Sequence, residues 1–163
     1  MIWYSRSSPE QIRPVPWLSS GAIQELEKRL RSFMTVMEHG GGGSTLWLAE
    51  RVKTVITYET DSDWARVLKG AAPPNVIIRQ EFFWNGSEKA DLLIVDGEPV
   101  ETRSSWLLDA SDILNNGGYL VLDNYNRPEY ERERNGLWDM FVREAEVNSP
   151  VGMYLNTEFW RLK

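Results

Sequence analysis

Val36–Asp61 reads VMEHGGGGSTLWLAERVKTVITYETD. A short apolar run ends on an acid, four glycines follow, then an apolar helical stretch, then a second run closed by an acid. That order predicts strand, turn, helix, strand, the unit that joins parallel neighbours in a sheet. Glu38 stands at the end of the first strand and Glu59 closes the second, 21 residues later. Gly40–Gly43 bring bare backbone up to whatever lies between the two acids. A small molecule with a hydroxylated sugar suits that place, because Glu59 can accept from both hydroxyls of a ribose.

Outward from this stretch the alternation continues. A helix capped by Ser19 or Ser20 is expected to run to about Phe33, and Thr35–Glu38 is the first strand. Ser44 or Thr45 opens a helix through Arg51, and Thr54–Glu59 is the second strand. Asp61 or Ser62 caps a helix to about Lys69, stopped by GAAPPN. Val76–Ile78 is a third strand, with a continuation through Glu81–Trp84 left open. DLLIVD, Asp91–Asp96, has the unbroken apolar run of a central parallel strand covered on both faces. A helix over Ser104–Leu114 ends in a left-handed stop at Asn115–Gly118, before the strand Tyr119–Asp123. Pro128–Glu144 reads as a helix, and Ala145–Ser149 with Glu158–Leu162 as a final hairpin.

This pattern predicts one α/β domain over residues 1–163. It has three layers, a mainly parallel central sheet and a C-terminal antiparallel hairpin. Residues 1–18 form an irregular arm, pinned by Trp17 and Leu18. Ligands of such sheets bind outside the carboxyl ends of the strands. Glu38, Glu59, Asp96 and Asp123 all fall there, and four acids on one rim need a cation or hydroxyl donors.

The composition sets outer bounds. The net charge of −6, with no basic run, argues against a nucleic-acid partner. There is no cysteine, which excludes disulfides, thiolate metal sites and a Cys nucleophile. The N-terminal MIWYSRSSPEQIRPVPW lacks the apolar core of a signal peptide, and nothing approaches a membrane span. A cytoplasmic location is the expectation.

The glycine turn departs from a dinucleotide fingerprint. Thr45 stands where the third glycine would be, and Glu38 would repel a pyrophosphate. The same carboxylate suits a ligand with a ribose, a positive charge and no phosphates. At this point the chain resembles the class I S-adenosylmethionine-dependent methyltransferases. Glu38-x-Gly40-x-Gly42 matches their first motif, Glu59 their ribose acid and DLLIVDG their fourth strand, over about Trp17 to Asn126. The phrase VMEHGGGGSTLWLAE…YETDSDW is similar to a subgroup with a GGST-type turn. Ser44 replaces a frequent third glycine, and its hydroxyl is within reach of the ligand carboxylate.

The resemblance implies a Rossmann-like methyltransferase fold. It implies a cofactor held by Glu38, Gly40, Gly41, Gly42, Ser44, Glu59 and Asp96, with Asp96 also beside the chemistry. It implies methyl transfer to an oxygen or nitrogen of a small molecule. Asp96, Asp123 and Asn124 also resemble the triad of the catechol-type metal-dependent O-methyltransferases, which implies Mg²⁺. The lysine base of those enzymes, three residues after the first Asp, is Pro99 here. His39 reads as second-layer or solvent-facing rather than a base, and Arg103 as a contact for an anionic substrate or a helix-start ion pair. An aromatic of Glu81–Trp84, or Trp64, could stack on adenine or pack in the core. Two rivals remain: a nicotinamide oxidoreductase, which Glu38 disfavours, and a non-catalytic binding or assembly module. With little chain left for a lid, the arm, the loop Asn124–Arg134 or a second subunit in a homodimer must shape the acceptor pocket.

Overall fold

The computed structural model describes residues 12–148 and 156–163. The elements are α1 (Ser20–Arg29), β1 (Thr35–His39), α2 (Gly43–Ala49), β2 (Thr54–Tyr58), α3 (Ser62–Ala71), β3 (Val76–Arg79) and β4 (Ala90–Val95). They continue with α4 (Arg103–Ile113), β5 (Leu114–Asp123), α5 (Glu131–Met140), β6 (Phe141–Val147) and β7 (Thr157–Leu162). The strands make one sheet in the order β3-β2-β1-β4-β5-β7-β6. β1 to β5 run parallel, and β7 is antiparallel to both β5 and β6. The chain builds outward from β1 to β3, then crosses back to β4. The switch in direction therefore falls between β1 and β4, where a ligand crevice belongs.

Why β4 is apolar throughout is plain from its two faces. Leu92 and Ile94 join Val36, Val55, Val121 and Phe159 under Leu26 of α1 and Leu48 of α2. Leu93 and Val95 join Met37, Ile56 and Leu120 under Trp106 and Leu107 of α4 and Leu137 of α5. Successive residues point to opposite faces, so a strand covered on both sides has no polar position to spare. Ser19 and Asp61 cap α1 and α3, accepting from the N–H groups of Ala22 and Trp64 at 3.2 and 2.8 Å.

Several expectations need correction. α1 stops at Arg29, short of Phe33, which is 70% exposed. Asn115–Gly118 is no helix stop: these residues lie inside β5, as a bulge where the register jumps from Ala90↔Leu114 to Leu92↔Tyr119. The helix expected over Pro128–Glu144 is a short 3-10 turn, Pro128–Tyr130, then α5, and Phe141 already begins β6. Alternation explains the misreading. From Phe141 to Val147 the residues alternate between covered and open, a period-2 pattern hidden behind helix-forming charges.

Glu81–Trp84 does not extend β3. Residues 80–89 cross from β3 to β4 without a helix, while the β1–β2, β2–β3 and β4–β5 crossovers each carry one. Trp84 packs against the core in its place, and Trp106 Nε1–H donates to the Phe82 carbonyl at 3.1 Å. In the arm, Leu18 packs against the core, but Trp17 is 64% exposed. The hairpin loop expected over Val151–Asn156 lies outside the described residues except for Asn156.

Candidate cofactor site

β1 ends with Glu38 turned under the glycine turn. Its Oε1 accepts from the hydroxyl of Thr57 at 2.8 Å and from that of Thr45, and its Oε2 from Ser44 at 2.9 Å. Thr57 is the residue directly opposite Glu38 in the β1–β2 register, which is why it reaches. Thr45 also accepts from the Gly42 N–H at 3.0 Å, so the acid and the turn form one network. Glu38 is 1% exposed. Burial pushes its carboxyl up to about 7, against the pull of the three hydroxyls, with Glu59 raising it further. Among the described residues its hydrogen-bond partners are hydroxyls, and none is a cation. A buried acid so placed is matched to a positive ligand.

Gly40 has φ +91, and a Cβ there would stand 2.4 Å from Gly97 Cα. Only glycine lets the turn after β1 lie against the turn after β4. At Gly43 the arm intervenes, because a Cβ would meet the carbonyl oxygens of Arg13 and Val15 at 2.4 and 2.5 Å. Residues 13–15 of the arm therefore lie against the start of α2.

Glu59 follows β2, also buried, and its carboxyl is raised, burial being the main cause. Oε2 accepts from the Gly41 N–H at 3.0 Å and Oε1 from the Asp61 N–H at 2.8 Å. The Thr60 N–H also acts on this carboxyl, and the acceptor capacity that remains suits a ribose hydroxyl. Trp64 Nε1–H donates to the Gly41 carbonyl at 2.7 Å, so this indole pins the turn. Ser44 spends its single hydroxyl hydrogen on Glu38 and has none left for a ligand carboxylate.

Across the switch point lies the second acidic group. Asp96 and Asp123 stand at the ends of neighbouring strands, and the carboxyl of each is raised chiefly by burial, with the charge of Asp123 pushing Asp96 up further. Asp123 also accepts from Thr157 Oγ1 and from the Asn124 amide, each at 2.6 Å. Arg103 fills the middle, 1% exposed, donating to the carbonyls of Asp96, Gly97 and Asp123 at 2.6, 3.0 and 2.9 Å and to Asp96 Oδ1 at 3.2 Å. Asp96, Asp123 and Asn124 thus converge as the sequence implied, but their lone pairs serve each other, Thr157 and a guanidinium. The set does not fit Mg²⁺, and among the described residues no group of three or more His, Asp or Glu side chains is placed to hold a metal. Arg103 is neither free for a substrate nor a simple helix-start pair.

His39 is buried and stacked on Trp106 at 5.1 Å between ring centroids. Its Nε2 lies 2.7 Å from Thr102 Oγ1, and that hydroxyl donates to the Pro99 carbonyl at 2.7 Å. Burial, helped by Arg103, pushes its pKa down to about 3, so the ring is neutral. It is not solvent-facing. Thr45, Thr57, Thr102 and Thr157 are the site residues that sequence reasoning missed. Thr57, set between Ile56 and Tyr58 in a strand that is otherwise apolar after Thr54, was the available signal. A groove of about 320 Å³ between α4 and α5, lined by Leu107, Leu108, Leu137 and Met140, lies on the helical face rather than at the strand ends.

No family model matches the chain, and no curated relative does. Solved structures match throughout the fold. The ribosomal protein L11 methylase from Lactobacillus delbrueckii subsp. bulgaricus superposes with TM-score 0.71 at 14% identity, over 87% of this chain and 77% of that one. An S-adenosylmethionine-dependent O-methyltransferase from Thermotoga maritima gives 0.68 at 14% identity, over 96% and 67%. The N-methyltransferase NodS from Bradyrhizobium japonicum WM9, in complex with S-adenosyl-L-homocysteine, gives 0.62 at 13% identity, over 80% and 78%. The chain has the Rossmann-like fold of the S-adenosylmethionine-dependent methyltransferases.

Proposed function

We propose that the protein binds S-adenosylmethionine across Glu38, Gly40–Gly42 and Glu59 and directs its methyl group to an oxygen or nitrogen of a small molecule beside Asp96. The observation that carries this reading is the state of Glu38. It is a buried acid beneath the glycine turn of the switch point, raised to about 7 and bonded, among the described residues, to hydroxyls rather than to a cation. A ligand bringing positive charge and donors lowers the free energy of that acid. Glu59, a buried acceptor at the end of β2, supports a ribose beside it. S-adenosylmethionine supplies the electrophilic methyl, and the chain's part is to hold donor and acceptor in line.

The net charge of −6 favours a small acceptor over a nucleic acid. Among the described residues no helix is long and apolar enough to cross a membrane. Burial and the charge of Asp123 push the Asp96 carboxyl up, which suits it to hydrogen-bond an acceptor rather than to strip its proton. Nothing in the donor set calls for Mg²⁺.

Isothermal titration with S-adenosyl-L-homocysteine tests the reading, with NAD⁺ as control. Saturable binding of the first and none of the second is expected. No heat at millimolar S-adenosyl-L-homocysteine would sink the proposal, and binding without turnover on broad hydroxyl and amine panels would favour a non-catalytic module.

A further inference from the structure

The acid triad at the carboxyl ends of β4 and β5 already contains a cation, and it is part of the chain. Arg103 enters from the first turn of α4 and is 1% exposed. Its guanidinium reaches the last backbone carbonyl of β5, the two carbonyls after β4, and the Asp96 carboxyl. On its far side it faces the Tyr130 ring at 5.9 Å from the centroid. The Tyr130 hydroxyl donates in turn to the Asn124 and Asp123 carbonyls at 2.5 and 3.2 Å. The two strand ends are therefore held by one planar cationic donor.

A divalent cation at such a triad neutralises the acids and ties the strand ends. Mg²⁺ takes its oxygens at about 2.0–2.1 Å and in near-octahedral geometry. Here Asp123 Oδ1 receives Thr157 and Oδ2 receives Asn124, while the Asn124 amide oxygen accepts from Arg127 at 3.3 Å. Bringing a dication to the same oxygens would set it against a fixed guanidinium.

We infer that Arg103 is the resident cation of this rim, bonded to Asp96 Oδ1 and to the carbonyls at both strand ends, and that the site works without metal. The inference deepens the methyl-transfer reading by assigning the rim's charge balance, but its test does not depend on turnover. The leaving methyl, the acceptor and its proton are untouched by Arg103, which acts on the acids and not on the reacting atoms.

Thermal melts of the full chain in EDTA and in millimolar MgCl₂ decide it. The wild type is expected to melt at the same temperature in both. Arg103→Ala is expected to melt roughly 10 °C lower in EDTA, because the buried Asp123 and the half-buried Asp96 lose their counter-charge. Millimolar Mg²⁺ is expected to restore part of that loss, since the freed oxygens then form a cation site. Arg103→Lys keeps the charge and is expected to fold and to ignore Mg²⁺, even if Arg103→Ala does not fold. A wild type stabilised by Mg²⁺ and reversed by EDTA overturns the inference. So does an Arg103→Ala protein that melts like wild type, or an Arg103→Lys protein that is unfolded or needs Mg²⁺. A wild type that ignores Mg²⁺ but fails to bind S-adenosyl-L-homocysteine leaves Arg103 in its role and removes the methyl-transfer reading instead.

Discussion

Two acidic groups flank the switch point and meet the same problem in different ways. On the β1–β2 side, Glu38 is balanced by three hydroxyls and Glu59 by the backbone N–H groups of Asp61, Gly41 and Thr60, all neutral donors. On the β4–β5 side, the buried Arg103 guanidinium donates to Asp96 Oδ1 and to the Asp123 carbonyl. Neutral donors leave the first group short of positive charge, which supports the proposal that a cationic cofactor binds there. An internal guanidinium supplies that charge to the second group, which supports leaving that side to the acceptor.

The largest break is expected from Gly40→Ala, which strikes the backbone contact joining both sides. The new Cβ would stand 2.4 Å from Gly97 Cα at a left-handed φ. A loss of several kcal/mol in urea unfolding and of S-adenosyl-L-homocysteine binding is expected. Retention of both would show that the two turns are not coupled.

Next, Glu59→Ala should weaken S-adenosyl-L-homocysteine by roughly 10-fold to 100-fold in calorimetry, the worth of a charge-assisted pair of hydrogen bonds. The fold should persist, because the Gly41 and Asp61 N–H groups sit at a partly open rim. Unchanged affinity would remove Glu59 from the ribose site.

Glu38→Gln sharpens the charge argument through pH. A carboxyl raised to about 7 when folded, from 4.5 when unfolded, contributes stability below pH 4.5 that is lost as pH rises through 7. Gln does not titrate, so the variant should gain on wild type between pH 5 and pH 8. The full span is on the order of 3 kcal/mol. Denaturant midpoints at the two pH values measure it, and parallel curves would show Glu38 ionised at its ordinary value. His39 works in the opposite sense in both proteins: its pKa, lowered to about 3, costs stability as pH falls below 6.5, and it cancels in the difference.

The smallest effect belongs to Thr157→Val, which removes the 2.6 Å bond to Asp123. A loss of about 1–2 kcal/mol is expected, since Asp123 keeps its bond from the Asn124 amide. A loss as large as that of Arg103→Ala would mean that the second group depends on its hydroxyl more than on its cation.

The amino-acid sequence by itself determined the α/β class, the parallel core and the placing of all four acids at strand ends. Hydrophobic periodicity and glycine position report burial and backbone approach directly, and both are local. It also marked the right stretch, Val36–Asp61, and the final hairpin. What it did not contain was who meets whom. Arg103 and Asp123 are 20 residues apart in the chain and Thr157 lies a further 34 on, yet they bond within one cluster. Asp96-Asp123-Asn124 reads as a metal triad only until the guanidinium between them is seen. Glu38 reads as a ligand contact, and only the β1–β2 register places Thr57 against it. Strand pairing and helix packing decide such meetings, and they depend on three-dimensional closure rather than on any spacing along the chain.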